Sequence, residues 1–251
     1  MATTKAIAKK TTGTAVATVN RAEAAAALRA RLMAPTGDKI KISNKQFKLP
    51  SGDVLDFLAV VVVDFVYYNA YYEGAFDPQN RTPANCFSLA EEPKGAAPSP
   101  NAPEPQHDTC AGCWANEFGS NGKGKACQNR VLIAILPTDA NEDTPFSILD
   151  ISPTAIKGFS SYLTSVARNG KMPYEVVTRI ECNPATKHDV AIFDLEEELE
   201  DDPFIGMIES RLGEARDRLM TEPDVSAFKA GNDKAPAKGA RSLKGPVKRR
   251  G

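Results

Sequence analysis

The chain of 251 residues has no run of about 18 apolar residues, and its N-terminus lacks the apolar core of a signal peptide. We therefore expect no transmembrane helix and no membrane partner. Only five cysteines are present, two of them in a Cys-x-x-Cys pair, which without an export signal favours a reducing cytoplasm. No nucleophile–base pairing and no metal-binding cluster of acids is recognisable, so we predict no enzyme and no small-molecule substrate.

The net charge is close to zero, but positive and negative residues are strongly segregated along the chain. The formal net charge is −1, yet the stretch from Asp194 to Asp202 is acidic and the stretch from Lys229 onward is basic. Such blocks are typical of solvated segments and interaction tails. We predict four parts: a basic, largely disordered arm with a short helix (1–36), a core (37–195), an acidic segment with a helix (196–222) and a basic disordered tail (223–251).

Alternation and β-branched residues predict a mainly β core. The strongest signal is Leu55–Phe65, whose Val60–Val63 run is apolar on both faces, as in the middle of a sheet or barrel. Ser152-Pro153 predicts a helix start, and a final helix is expected at Phe204–Met220. Five or six short strands without βαβ alternation favour an α+β fold: a small OB-like barrel with flanking helices and a stapled loop insertion at 77–130.

A metal ion that would hold this loop insertion in place, here called the staple, is predicted from the spacing of the cysteines. Cys110 and Cys113 are separated by two residues, as in a metal-binding knuckle, and Cys86 and Cys127 lie at either side of them. Four thiolates would close a tetrahedron around a structural Zn²⁺ and leave no open position for catalysis. His107 is the alternative fourth ligand should Cys86 be buried elsewhere. The competing interpretation is a set of unpaired or disulfide-bonded thiols.

The glycine-rich segment before Cys127 resembles a phosphate-binding loop only superficially. Ala126 stands where that motif needs a Ser or Thr for Mg²⁺, which argues against nucleotide hydrolysis. Its glycines instead allow a tight turn from which Lys123 and Lys125 project, with Arg130 just beyond. Fixed cations of this kind can follow a phosphate backbone, although solvated lysines on a plain turn are the alternative.

Aromatic residues accompany these cations. Tyrosine has a flat face for a base and a polar edge for water, which suits a stacking platform in a basic groove. The alternative is that some members of the tyrosine run belong to the core. The predicted nucleic-acid-binding residues, with two further cations, are Tyr67, Tyr71, Tyr72, Trp114, Phe118, Lys123, Lys125, Arg130, Lys157 and Arg179.

Several motifs together resemble a family of tailed-bacteriophage single-stranded DNA-binding proteins. They cover roughly residues 50–180 and are Val60–Phe65, Asn69–Pro78, Pro83–Phe87, Cys110–Ser120, Gly122–Cys127 and Ser152–Thr154. The resemblance implies an OB-like, zinc-stabilised protein of the host-cell cytoplasm that binds single strands without sequence preference during phage replication or recombination. Replication or recombination proteins are the implied partners. Many such proteins end in an acidic tail, whereas this chain ends in Lys248–Arg250.

A second interpretation stays open at this point. A metal-stapled structural module, or a docking module of a replication or transcription accessory factor, would bind nucleic acid only incidentally. It would show no preference for single strands over duplex DNA.

Overall fold

One long strand organises the part of the chain that the computed structural model describes, residues 39–74, 83–200 and 202–226. The described strands are β1 (Lys39–Ser43), β2 (Gln46–Lys48), β3 (Val54–Leu55), β4 (Phe57–Tyr71), β5 (Cys86–Ala90), β6 (Cys127–Pro137), β7 (Ser147–Ile151), β8 (Val176–Cys182) and β9 (Ala191–Glu198). The described helices are α1 (Pro153–Arg168), α2 (Asp202–Ser210) and α3 (Leu212–Leu219). Two single 3₁₀ turns lie at Trp114–Asn116 and Pro173–Glu175.

Strand β4 pairs with three other strands. Its pairing with β6 runs from Val60 to Tyr71, while its other edge pairs first with β8 and then with β5. The order is β3-β2-β1-β7-β6-β4-β8-β9, with β5 on the same edge of β4 as β8 but at the opposite end of the strand. Among the described strands, only β1 and β7 pair in parallel. Where such a strand is covered on both faces, consecutive residues must be apolar, as Val60–Val63 of β4 are.

Two apolar cores lie on the two faces of this sheet. Helix α1 covers one face through buried residues that include Phe159 and Tyr162. Helices α2 and α3 cover the other face through Ile208, Ala215 and Leu219. Between Val62 and Asp64 a bulge shifts the register of β4 against β6. It directs the Asp64 carboxylate to the α3 guanidinium of Arg216 at 2.6 Å, so the bulge also anchors this helix layer.

Hairpins near the opposite ends of the curled sheet touch. Asn44 and Lys45 form the β1–β2 turn in the left-handed region, with φ of 53° and 64°. The Lys45 ammonium donates to the Asn183 carbonyl and the Thr186 hydroxyl, both at 3.1 Å, and to the His188 carbonyl. These acceptors belong to the β8–β9 connection. The result is an open, curled half-barrel.

The mainly β, α+β expectation is confirmed, and the open half-barrel is consistent with an OB-like fold. The described residues contain nine strands rather than five or six, because very short strands such as β2 and β3 lack a periodic signal. Part of the acidic block forms the edge strand β9, and the predicted last helix breaks at Arg211. No helix in the described ranges is long and apolar enough to cross a membrane.

Other expectations fall outside this part of the chain. The N-terminal arm with its helix at 21–33, and all but the first four residues of the tail at 223–251, lie outside the described residues.

Replacing Lys45 by Met should lower the free energy of unfolding by about 1 kcal/mol, because partly buried oxygen acceptors lose a charged donor while the aliphatic stem is kept. The measurement is the denaturant midpoint at unchanged m-value. Lys48→Met, at an exposed position of β2, is the matched control and should change stability by less than about 0.5 kcal/mol. Equal effects of the two substitutions would contradict the closing role of Lys45.

Candidate metal and nucleic-acid site

The insertion between β5 and β6 is clamped to the end of β4. Asn85 is only 6% exposed; its side-chain oxygen accepts from the Glu73 N–H at 2.8 Å and its amide donates to the Glu104 carboxylate at 2.9 Å. A second clamp joins the insertion to the segment after α3, since Asn101 donates to the Glu222 carboxylate at 2.7 Å and Ser99 donates to it as well. These contacts fix the insertion around residues 99–104.

The four predicted cysteine ligands line one small cavity of about 20 Å³. Cys86 begins β5 and Cys127 begins β6, and both lie opposite Tyr71, the last residue of β4. Directly opposed residues of neighbouring strands share a face, so these side chains point to the same side of the sheet. Cys110 and Cys113 reach the cavity from the insertion. Such a cavity holds a single water-sized or ion-sized body.

The sulfurs interact electrostatically. Burial first, and then the nearby Cys110, Cys113 and Cys86, together raise the pKa of the Cys127 thiol to about 12, while Lys125 acts in the opposite direction. Burial is also the main cause that raises the pKa of Cys86. Without a cation, then, this cavity favours protonated thiols. A thiophilic cation in the cavity would reverse that balance by displacing the protons.

Four thiols are suitable ligands for a structural zinc ion, but their positions fit a zinc site only in part. All five cysteines of the chain are free thiols, which leaves the disulfide alternative without support. Within the described ranges, however, no group of three or more His, Cys, Asp or Glu side chains is gathered closely enough to hold a metal ion. The four sulfurs share a cavity but would have to move inward to complete a coordination shell.

His107 takes a different position from the four cysteines. It is exposed, it does not line the cavity, and its Nδ1 accepts from the Thr109 N–H at 3.1 Å. Its ring packs on the outside of the knuckle, where a Cβ added to Gly112 would lie 2.9 Å from His107 Cε1. Cys86, in contrast, faces the cavity. The geometry therefore favours Cys86 over His107 as the fourth donor.

The lysine-bearing loop is a tight turn. The Gly119 N–H donates to the Gly124 carbonyl at 2.9 Å, and Gly119 and Gly122 take φ of 93° and 66°, values that favour glycine. Lys123 is exposed at the tip. The Lys125 ammonium donates to Asn116 Oδ1 at 3.0 Å and lies 5.3 Å from the centre of the Phe118 ring. One lysine is thus free to reach solvent and the other is held.

Exposed aromatic rings surround this loop. Phe118 is 84% exposed and Trp114 is 46% exposed, which is unusual for large apolar side chains. The Trp114 ring meets Tyr71 edge-on, with centroids 5.5 Å apart at 74°. Tyr67 instead packs partly into the α1 core and contacts Phe65 edge-on at 6.1 Å. Of the predicted aromatic set, Trp114 and Phe118 therefore present the most open surface.

The remaining predicted binding residues lie elsewhere. Arg130 is opposite Tyr68 in the sheet, on the face away from Cys127, and pairs with Asp150 at 2.6 Å. Tyr72 hydrogen-bonds with Tyr68, whose pKa is raised mainly by burial. The two further predicted cations lie apart from the lysine-bearing loop and from Arg130. Arg179 covers the Phe57 ring and pairs with Glu181 and Glu196, and Lys157 is exposed on α1.

A polar network beside the cavity was not anticipated from the sequence. Asn129 donates to Asn69 Oδ1 at 2.7 Å and to Asn116 Oδ1 at 3.0 Å, and Asn69 donates to Ser88 Oγ at 3.0 Å. The Ser88 hydroxyl is 3.3 Å from Cys110 Sγ. The available signal was the two-residue period of strands, which puts Asn69 and Asn129 on the face of Tyr71 and Cys127.

Comparison with known proteins finds no relative: no family model, no curated protein and no solved structure matches this chain. We therefore infer the function from the site itself.

Replacing Asn85 by Ala should lower the free energy of unfolding by about 1–2 kcal/mol, because both groups that it clamps lose their partner. Phe118→Ala should change it by less than about 0.5 kcal/mol, because that ring is exposed. Denaturant midpoints of the two variants test this difference. A large loss with Phe118→Ala would mean that the ring is part of the packing and not an open surface.

Proposed function

We propose that this protein is a zinc-containing, single-stranded DNA-binding protein that acts without sequence preference in phage DNA replication or recombination. The observation that carries the proposal is the surface formed by Trp114, Phe118, Lys123 and Lys125, which we call the knuckle surface. It combines exposed rings with cations on an anchored turn. The proposal assigns binding to this surface and no catalytic step.

Stacking is the first contribution expected from the knuckle surface. Unpaired bases expose flat faces that duplex DNA hides, and a base stacked on an aromatic side chain is worth about 1–3 kcal/mol without sequence preference. Trp114 and Phe118 are exposed enough to accept such contacts, whereas Tyr67 is partly covered by the core. A surface of this chemistry selects single strands over duplex.

Phosphate binding is the second contribution. Lys123 and Lys125 lie in the same turn as the rings, so they would contact the backbone beside the stacked bases. Arg130 and Arg179 are engaged by carboxylates, and a phosphate would have to compete with those partners. We therefore assign the electrostatic contribution to the two lysines of the turn.

Zinc is proposed as the staple beneath this surface. Cys86, Cys110, Cys113 and Cys127 would hold it, and the ion would supply only structural rigidity because four thiolates leave no open position. The Ser88 hydroxyl oxygen accepts from both the Asn69 amide and the Cys110 thiol. Once zinc had displaced the Cys110 proton, the Ser88 hydroxyl would be free to donate its own proton to the Cys110 thiolate. Hydrogen bonds of this kind to ligand atoms are typical around metal sites.

A protein-docking module is the second candidate, favoured by the high exposure of Phe118. An apolar ring projecting from a stapled turn also suits insertion into a pocket of a replication or transcription partner. In that case the lysines would contribute little, and the affinity for single-stranded and duplex DNA would be similarly weak.

Fluorescence anisotropy with labelled single-stranded and duplex oligonucleotides across a salt series tests the proposal. We expect tighter binding to the single strand. The Lys123→Ala/Lys125→Ala double variant should flatten the slope of log affinity against log salt by about 1.4, because two phosphate contacts are lost at about 0.7 each.

The matched control removes two positive charges elsewhere. Lys41 and Lys48 are exposed and lie opposite each other on β1 and β2, so Lys41→Ala/Lys48→Ala changes the net charge equally. It should leave the slope within about 0.3 of the wild type. An unchanged slope in the turn variant, or equal affinity for the two DNA forms, would reject the proposal in favour of docking.

The ligand set has its own test. Purified wild-type protein should contain about one zinc per chain by elemental analysis. Cys86→Ser should lose most of it, whereas His107→Ala should keep it, because only Cys86 faces the cavity. Zinc loss in the His107 variant with retention in the Cys86 variant would reverse the assignment. Zinc-free wild-type protein that is fully folded would remove the staple altogether.

A further inference from the structure

Asn116 occupies a junction between the knuckle and the lysine-bearing turn. It closes the 3₁₀ turn that follows Cys113, and its backbone N–H donates to the Cys113 carbonyl at 3.0 Å. Its side-chain amide donates to the Cys110 carbonyl at 2.8 Å. Asn116 is therefore tied at two points to the Cys110–Cys113 backbone, which fixes the direction of its side-chain oxygen.

That oxygen receives two donors. The Lys125 ammonium and the Asn129 amide both lie 3.0 Å from Asn116 Oδ1. Asn129 is itself held through Asn69 on the central strand. The acceptor for Lys125 is consequently fixed from the knuckle on one side and from the sheet on the other.

A lysine side chain loses considerable rotamer freedom when it is ordered, at a cost of about 1.5–2 kcal/mol on common scales. In this protein the cost for Lys125 is met during folding, because the ammonium is already bound to Asn116 and lies over the Phe118 ring. Lys123, two residues earlier, is exposed and has no hydrogen bond to Asn116. The two lysines of one turn thus differ in preorganisation.

We propose that Asn116 is a positioning residue, which fixes Lys125 and Phe118 as a preformed unit for one phosphate and its neighbouring base. The inference rests on the proposed function for the identity of the ligand, but the positioning itself is a property of the free protein. Lys123 contributes its charge independently of Asn116. The two lysines are therefore expected to respond differently when Asn116 is replaced.

The positioning is measured first without DNA. In full-length protein with ¹³C-labelled lysine, the ring current of Phe118 should shift the side-chain resonances of Lys125, which are assigned by their loss in Lys125→Ala. Phe118→Leu removes the ring and defines the unshifted position. Asn116→Ala should move the resonances most of the way to that position. Resonances that stay shifted in Asn116→Ala would overturn the proposal.

The second arm is a double-mutant cycle for binding to a labelled single-stranded oligonucleotide. Asn116→Ala should weaken binding about 3- to 10-fold in the wild type, the range expected for ordering one side chain. It should have almost no effect in the Lys125→Ala background and its full effect in the Lys123→Ala background. The same loss in both lysine backgrounds would show a general structural role and overturn the proposal.

The two arms separate the positioning from the proposed function. If the NMR shift depends on Asn116 but the wild type binds single strands no better than duplex DNA, the positioning stands and the proposed function falls. If single strands are preferred but neither arm depends on Asn116, the function stands and the positioning is rejected. Denaturant midpoints of Asn116→Ala are measured alongside to confirm that the variant is folded.

Discussion

The pairing of β4 with β6, under cover on both faces, is the constraint on which the rest of the structure depends. The two strands stay paired from Val60 to Tyr71, and the helices α1 on one face and α2–α3 on the other bury their apolar residues. The bulge near Asp64 turns a carboxylate toward α3 without ending the pairing. Because Cys86 and Cys127 are opposite Tyr71 at the end of β4, this same register brings two thiols from distant segments to one cavity.

The candidate site consists of a buried cavity lined by thiols and an exposed surface with aromatic rings. Buried thiols are unfavourable as anions, which is why the pKa of Cys127 is raised and why the thiols stay protonated unless a cation displaces their protons. On the surface beside the cavity, the rings of Phe118 and Trp114 are exposed, and their packing does not account for this exposure. Exposed rings beside lysines on an anchored turn are understandable as a contact surface for a polyanion with accessible bases or for a protein partner.

Much of the fold was predictable because its signals are local. The β-branched run of β4 requires a buried strand, and Ser152-Pro153 begins α1 as expected, with Asn169-Gly170 after its last residue. The curl was not predictable. It brings Lys45 to oxygens of the β8–β9 connection more than 130 residues away, and no local pattern marks such a contact. Short strands such as β3 exist only because a neighbour pairs with them.

The sequence by itself determined which residue types carry the site: four cysteines with knuckle spacing, a glycine-rich turn with two lysines, and aromatic residues nearby. Only the tertiary structure decided which of them meet. Strand register puts Cys86 in the cavity and places Arg130 on the opposite face from Cys127, while the path of the insertion leaves His107 outside. It also assembles the Asn69–Asn129–Asn116 network that holds Lys125. The physical reason is that the face on which a side chain lies, and the partner to which it hydrogen-bonds, depend on pairing between distant segments. Spacing along the chain does not encode that pairing.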